Sequence, residues 1–214
     1  MSGIESVDGK KVRIRFDGKK CIHSRHCVLG RPDVFVPNVE GEWIHPDAAT
    51  PEAVAEIAHL CPSGAIQYER LDGGPNEAAP KVNTVRVREN GPLAFHGDLT
   101  LNGQSIGKRA TLCRCGASKN KPFCDGSHAD AGFAATGEPA AGEMKTLSRR
   151  DGPVNLKPLK NGSLNVTGAV EVVTGTGHTI AKLDQAWFCR CGHSNKKPFC
   201  DGSHKKANFV ADGA

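Results

Sequence analysis

The sequence has few aromatic residues and no long hydrophobic run. Of its 214 residues, 8 are Phe, 2 are Trp and 1 is Tyr, so the large side chains that fill protein cores are scarce. No stretch approaches the roughly 20 apolar residues that a membrane-spanning helix needs. The first ten residues lack the apolar segment of a secretory signal peptide. We therefore expect a cytoplasmic protein that does not bind a membrane.

A dense basic cluster is also missing. The net charge is +5, and no run of Lys and Arg with interleaved aromatic residues occurs, which argues against nucleic acid as a partner. What the chain has instead is 25 Gly and 9 Cys, a composition typical of small, turn-rich units that need a staple. An odd number of cysteines in a reducing compartment argues against disulfides, so metal is the expected staple.

One sixteen-residue segment occurs twice, at residues 113–128 and 189–204. Both copies have the ligand spacing C-x-C-x8-C-x3-H, which gives each copy four metal-binding side chains. Thiolate and imidazole ligands suit either zinc or an iron-sulfur cluster. The candidate ligands are Cys113, Cys115, Cys124 and His128 in the first copy, and Cys189, Cys191, Cys200 and His204 in the second.

The C-x-C spacing favours a 2Fe-2S cluster. Structural zinc sites usually present two or more residues between paired cysteines, whereas here only one intervenes. Two close thiolates on an extended backbone can chelate one iron, and the third cysteine and the histidine, four positions apart, can converge on the other. We expect Asp125 and Asp201 to cap helices that carry the two histidines. A zinc-stapled structural or interaction module without redox activity is the alternative.

The repeat extends beyond the ligands. Residues 82–91 recur at 154–162 with an offset of 71 to 72, while the cysteines are offset by 76, which places extra residues of the second copy near 174–177. Alternating apolar residues predict short strands before each ligand loop. A Gly-, Pro- and Ala-rich linker at 71–80 separates a different N-terminal unit. The predicted domains are 1–72, 81–148 and 149–214.

The N-terminal unit carries the other three cysteines. Alternation at 12–16 predicts a strand leading into Cys21, and Thr50-Pro51 predicts the start of a helix that Cys61-Pro62 ends. A returning strand is predicted at 65–68. Cys27 lies six residues after Cys21.

The repeated segments resemble the CDGSH iron-sulfur domain, matching its pattern C-x-C-x2-[S/T]-x3-P-x-C-D-G-[S/T/A]-H in both copies. The resemblance implies a 2Fe-2S cluster on each set of three cysteines and one histidine. It also implies a tandem arrangement equivalent to the mitoNEET-like homodimer. The expected fold is α+β: an N-terminal domain and two small β-rich domains that form an internal pseudo-twofold dimer in a monomer.

The N-terminal unit resembles a monocluster bacterial ferredoxin, whose pattern is C-x2-C-x2-C with a distant C-P. Cys21, Cys27 and Cys61 match, but Ser24 stands at the second cysteine position. With three cysteines a 3Fe-4S cluster is the simplest occupant. The alternatives are a 4Fe-4S cluster whose fourth iron takes Ser24, a histidine or a non-protein ligand, and packed or reactive thiols without a cluster.

Together these features predict a multi-cluster iron-sulfur protein that transfers electrons, or that delivers or senses clusters. The expected partner is a redox protein or an apo iron-sulfur acceptor protein. No nucleophile constellation or nucleotide fingerprint occurs, so an enzyme is not indicated. A third hypothesis is an enzyme whose clusters feed a reaction at a shared surface.

Overall fold

The computed structural model of the protein describes residues 3–213. The chain divides between Ala78 and Ala79 into two compact units. Both copies of the repeat lie in the second unit, and the separation of that unit into domains 81–148 and 149–214 stays a prediction. Within the described residues, no helix is long and apolar enough to cross a membrane.

The first unit is a three-stranded antiparallel sheet with two helices. The sheet order is β1-β2-β3. The elements are β1 (Ile4–Asp8), β2 (Val12–Asp17), α1 (His26–Gly30), α2 (Pro51–His59) and β3 (Ile66–Arg70). The predicted strands at 12–16 and 65–68 are confirmed as β2 and β3, whereas β1 and α1 were not foreseen. Both are five residues long and carry little periodicity.

Helix α2 begins where the sequence predicts. The Thr50 hydroxyl accepts a hydrogen bond from the Ala53 N–H at 3.3 Å, and proline at the first helical position needs no N–H partner. The apolar face of α2 packs into the core of the unit. That core consists of Val12, Ile14, Val34, Phe35, Ile44, Val54, Ile57, Ala58, Cys61, Ala65 and Ile66.

The second unit is built on one six-stranded sheet to which both repeat copies contribute. The first copy supplies β4 (Thr84–Val87), β5 (Leu93–Leu101) and β6 (Gln104–Leu112). The second copy supplies β7 (Pro153–Pro158), β8 (Leu164–Val173) and β9 (Thr179–Phe188). The predicted strands before each ligand loop are confirmed, and in the first copy residues 93–101 form one continuous strand.

The copies exchange strand contacts reciprocally. Strand β4 pairs with β5 of its own copy in antiparallel fashion and with β8 of the other copy in parallel. Strand β7 pairs with β8 of its own copy in antiparallel fashion and with β5 of the other copy in parallel. One strand of each copy, β4 or β7, therefore lies between a strand of its own copy and a strand of the other copy. The apolar core contains residues of both copies.

The register corrects one detail of the repeat. Thr84 pairs with Glu171, and Asn155 pairs with Thr100, so Asn155 is equivalent to Thr84 and not to Asn83. The offset is 71 throughout the early strands. The extra residues of the second copy lie in the β8–β9 hairpin, residues 174–178, where the first copy has the two-residue turn at 102–103. This placement confirms the prediction from the sequence.

Candidate metal centres

Each ligand loop folds back onto the end of the strand that precedes it. Strand β6 ends at Leu112; the Cys113 N–H then donates to the Pro122 carbonyl at 2.9 Å, and the Cys124 N–H donates to the Thr111 carbonyl at 2.9 Å. These two bonds continue the strand pairing past the strand end. The first and third cysteines, eleven residues apart in sequence, are thus brought side by side. The second copy repeats the arrangement after β9.

The four predicted ligands of the first copy form two close pairs. The sulfurs of Cys113 and Cys115 are 3.7 Å apart, and the sulfur of Cys124 lies 3.4 Å from Nδ1 of His128. Bonds of about 2.3 Å to sulfur and about 2.0–2.1 Å to nitrogen at a tetrahedral metal place two such ligand atoms about 3.5–3.8 Å apart. Each pair is therefore spaced to share one metal ion.

The second copy has the same geometry. The Cys189 and Cys191 sulfurs are 3.7 Å apart, and the Cys200 sulfur lies 3.4 Å from Nδ1 of His204. Across residues 3–213, no three His, Cys, Asp or Glu side chains converge on a point that could hold a single ion. The arrangement in each copy is two ligand pairs rather than one four-ligand cage.

The two aspartates hold the loops, but not as helix caps. The segments 126–132 and 202–208 consist of bends and turns, so the predicted helices carrying His128 and His204 are wrong. Asp125 accepts hydrogen bonds from the Ser127 N–H at 3.0 Å and from the Lys119 N–H at 2.8 Å. Asp201 bonds Ser203 and Asn195 in the same way. Each carboxylate connects the middle of the loop to its histidine end. Burial raises the pKa of Asp125, but the hydrogen bonds outweigh this effect and bring the pKa to about 2. Hydrogen bonds likewise lower the pKa of Asp201.

Main-chain amides point at the ligand sulfurs. The N–H groups of Gly116, Ala117 and Gly126 donate to the sulfurs of Cys113, Cys115 and Cys124 at 3.3, 3.4 and 3.5 Å. Such donors stabilise negative charge on thiolate sulfur, and hydrogen bonds to sulfur set the potential of an iron-sulfur cluster. The hydrogen bond from Cys115 lowers the pKa of Cys113 to about 6, whereas burial raises that of Cys124 to about 11.

An arginine lies between the first two cysteines of each copy and is almost fully buried. Arg114 is 1% exposed and donates to four main-chain oxygens, at 2.6 Å to Arg88, 3.0 Å to Gly91, 3.2 Å to Ala135 and 3.3 Å to Thr136. Its guanidinium also lies 5.4 Å from the centre of the Phe133 ring.

Arg190 occupies the equivalent position in the second copy. It is 2% exposed and donates to the main-chain oxygens of Leu159, Gly162 and Asp212. Burial lowers the pKa of Arg114 to about 10, and the thiolate charge of Cys189, in the other copy, opposes that shift. The sequence contained the signal for these arginines, because C-x-C reads Cys-Arg-Cys in both copies, but their role was not inferred from it.

The three cysteines of the first unit line one cavity of about 240 Å³, together with Ser24. The Cys21 sulfur accepts a hydrogen bond from the His23 N–H at 3.4 Å, and the Cys61 sulfur lies 3.6 Å from the Ser63 hydroxyl. Most of the remaining lining is apolar, and burial raises the pKa of both Cys21 and Cys27.

The loop from Cys21 to Cys27 has an unusual backbone. His23 and Arg25, on either side of Ser24, have φ of 53° and 61°, in the left-handed region that non-glycine residues seldom adopt. Such conformations concentrate at binding and active sites. Three thiols lining one cavity beside a strained loop suit an iron-sulfur cluster, and Ser24 is the oxygen-bearing side chain at the missing cysteine position.

Two known protein families match parts of this chain. The family described as "Iron-binding zinc finger CDGSH type" matches residues 90–129 and 161–205. The chain is 30% identical over 90 residues to "CDGSH iron-sulfur domain-containing protein 1" of Mus musculus, a match that covers 42% of this chain and 73% of that protein. The chain belongs to the CDGSH iron-sulfur domain family. Both CDGSH matches include the ligand loops described above.

The first unit of this CDGSH protein matches a different family. The family described as "Divergent 4Fe-4S mono-cluster" covers residues 7–71. "Ferredoxin-2" of Streptomyces griseolus is 40% identical over 60 residues, 26% of this chain and 94% of that protein. "Uncharacterized protein YjdI" of Escherichia coli (strain K12) is 34% identical over 67 residues, 31% of this chain and 86% of that protein. The chain is an iron-sulfur protein with a ferredoxin-like unit and two CDGSH segments.

Proposed function

We propose that this protein is an electron carrier with two 2Fe-2S clusters in the CDGSH unit and a third cluster in the ferredoxin-like unit. Cys113 and Cys115 would hold one iron of the first binuclear cluster, and Cys124 and His128 the other. The second cluster would take the equivalent residues: Cys189, Cys191, Cys200 and His204. When bound, these clusters supply one-electron redox chemistry.

The observation that carries this proposal is the division of each CDGSH ligand set into two pairs. Each pair has the separation of two ligands on one metal, and within the described residues the pairs do not merge into a three-ligand group. A single zinc ion needs all four ligand atoms at one point, whereas two irons need two ligands each. The amide donors to the sulfurs and the buried arginines add positive potential where a cluster with three thiolates is anionic.

The third cluster is supported by the cavity of the ferredoxin-like unit. Cys21, Cys27 and Cys61 would bind three irons, which makes 3Fe-4S the simplest occupant. The name of the matching family favours a 4Fe-4S cluster. In that case the fourth iron would be bound by Ser24, which lies in the same cavity, by a histidine or by a non-protein ligand.

The internal pseudo-dimer is part of the same proposal. The reciprocal pairing of β4 with β8 and of β7 with β5 supports an arrangement in which the two copies within one chain correspond to the two subunits of a homodimer. We infer a monomer whose partner is a redox protein. Light scattering of the purified protein tests this, because a dimeric mass would contradict it.

Delivery of clusters to an apo acceptor protein is a second candidate function. His128 and His204 are only half-buried, so solvent protons reach a ligand of each cluster. A ligating imidazole must be unprotonated, and protonation therefore weakens its hold on iron. This exposure favours release of a cluster as well as exchange of an electron.

Iron, sulfide and zinc analysis with visible spectroscopy tests the cluster assignment. We expect a coloured protein with about seven or eight irons per chain if all three sites are filled, and about four if only the binuclear sites are. A colourless protein with stoichiometric zinc would refute the proposal. Mixing the holoprotein with an apo-ferredoxin, alongside a redox titration, separates electron transfer from cluster delivery.

A further inference from the structure

The two C-x-C loops contact each other directly through glycines. Gly116 follows Cys115, and Gly192 follows Cys191. A Cβ atom built on Gly116 would lie 2.8 Å from the carbonyl oxygen of Cys191 and 3.1 Å from its carbonyl carbon. A Cβ on Gly192 would lie 3.0 Å from the carbonyl carbon of Cys115, with the oxygen closer still. Each glycine therefore packs against the main chain of a ligand cysteine in the other copy, and no side chain fits between them.

The contact involves the same main chain that holds the ligand sulfurs. The Gly116 N–H donates to the Cys113 sulfur at 3.3 Å, and the His193 N–H donates to the Cys191 sulfur at 3.4 Å. Because Gly116 packs on Cys191, a displacement of either loop shifts the amide donors of the other. Close-packed interiors transmit such displacements instead of absorbing them.

The charges of the two sites are also within reach of each other. The Cys189 thiolate acts on Arg114, and the Cys113 thiolate acts on Arg190. Each of these arginines thus follows and precedes a ligand cysteine of its own copy in sequence, and its buried guanidinium is influenced by a cysteine of the other copy. Both the packing and the charge distribution connect the sites across the copies.

We propose that the interlocked glycine loops make the two CDGSH sites retain or lose their clusters as a pair. This inference rests on the proposed function, since it requires a cluster in each site. A cluster bound in one site fixes the C-x-C loop of that site, and the C-x-C loop of the other site packs against it. Loss of one cluster makes its loop mobile, so the other loop loses its packing partner and the second site binds its cluster less tightly. This is positive coupling between the two sites.

The experiment follows cluster loss from the holoprotein. Protein treated with an iron chelator is sampled over time by native mass spectrometry, which counts the 2Fe-2S clusters on each chain. If the two sites lose their clusters independently and at equal rates, about half of the chains carry a single cluster when half of all clusters have been lost. Independent sites with unequal rates give a larger fraction of single-cluster chains. We expect the single-cluster species to stay well below that fraction. Accumulation to half or more would overturn the proposal.

Two matched substitutions test the glycine contact. Gly192→Ala and Gly202→Ala both place a methyl group at positive φ, 83° and 88°, next to or near a ligand cysteine. Only the first meets the other copy, because a Cβ on Gly202 has nothing within 4 Å. We expect single-cluster chains to accumulate in Gly192→Ala and to stay rare in Gly202→Ala. Equal behaviour of the two variants would contradict the proposed role of the contact.

A ligand variant keeps the test independent of the glycine substitutions. Cys200→Ala disables the second site without altering either interlocked loop. The proposal predicts that the remaining cluster, on Cys113, Cys115, Cys124 and His128, is then lost several-fold faster than from the wild type. An unchanged rate would show that the sites are independent. Wild-type protein without any 2Fe-2S cluster would instead refute the proposed function, and with it this inference.

Discussion

Replacement of Arg114 by Met should lower the local stability of two segments of the CDGSH unit. The guanidinium connects Arg88 and Gly91, beside strand β4, with Ala135 and Thr136, after the ligand loop. Met fills a similar length but donates no hydrogen bond. The main-chain oxygens around it would lose a charged donor in a site where the arginine is 1% exposed.

The expected loss is about 2–4 kcal/mol of local stability. The two shortest bonds, 2.6 Å to Arg88 and 3.0 Å to Gly91, dominate. An acceptor left without a partner in a buried site costs about 1–3 kcal/mol, and two give about 2–6 kcal/mol. Removal of the buried charge offsets part of this, because the desolvation cost of the guanidinium disappears.

Hydrogen exchange of the holoprotein, read by mass spectrometry, measures this loss. At about 1.4 kcal/mol per factor of ten, protection of the amides in 88–91 and 133–138 should fall about thirty-fold to a thousand-fold, or to the unprotected limit. Arg190→Met is the matched control, because it should instead affect 159–162 and 211–213. Arg114→Lys should give an intermediate loss, since an ammonium keeps the charge without the planar donors. Unchanged protection in 88–91, or an equal fall over the whole unit, would refute the reasoning.

Three further predictions concern the other sites. His128→Cys or His204→Cys should give a more acid-stable cluster of lower potential, because a thiolate replaces the ligand that protons displace; unchanged acid lability and potential would contradict histidine ligation. Ser24→Cys should raise the iron content by about one atom per chain if the first unit holds a 3Fe-4S cluster, whereas unaltered iron content would exclude that cluster type. Glu171 is buried, which raises its pKa, but the Arg150 hydrogen bond at 2.6 Å and the charges of Arg150 and Lys182 bring it below 4.5. Since the folded pKa is the lower one, this carboxylate stabilises the fold above about pH 4.5, and its contribution is lost as the pH falls through the folded pKa. In Glu171→Gln the stability of the fold should therefore depend less on pH below 4.5, as followed by circular dichroism during acid unfolding. An acid transition identical to that of the wild type would count against this account.

Local signals in the sequence predicted most of the elements. Thr50-Pro51 marked the start of α2, alternating apolar residues marked β2 and β5, and the difference between the two offsets located the longer hairpin of the second copy. These features depend on neighbours in sequence, which is why they could be read directly. The helix expected after Asp125 was wrong because the aspartate bonds both Ser127 and Lys119, and so closes a loop instead of starting a helix.

The sequence alone determined the candidate ligands and their division into C-x-C and C-x3-H. Ligand identity and short-range spacing are covalent properties of the chain, and chelation by neighbours follows from them. Only the tertiary structure decided how the copies share strands, which carbonyls receive Arg114 and Arg190, and that Gly116 and Gly192 pack against each other's ligand loops. The glycine contacts join residues some 75 positions apart in the chain. No local pattern specifies such contacts, because they depend on which surfaces meet once both copies have folded.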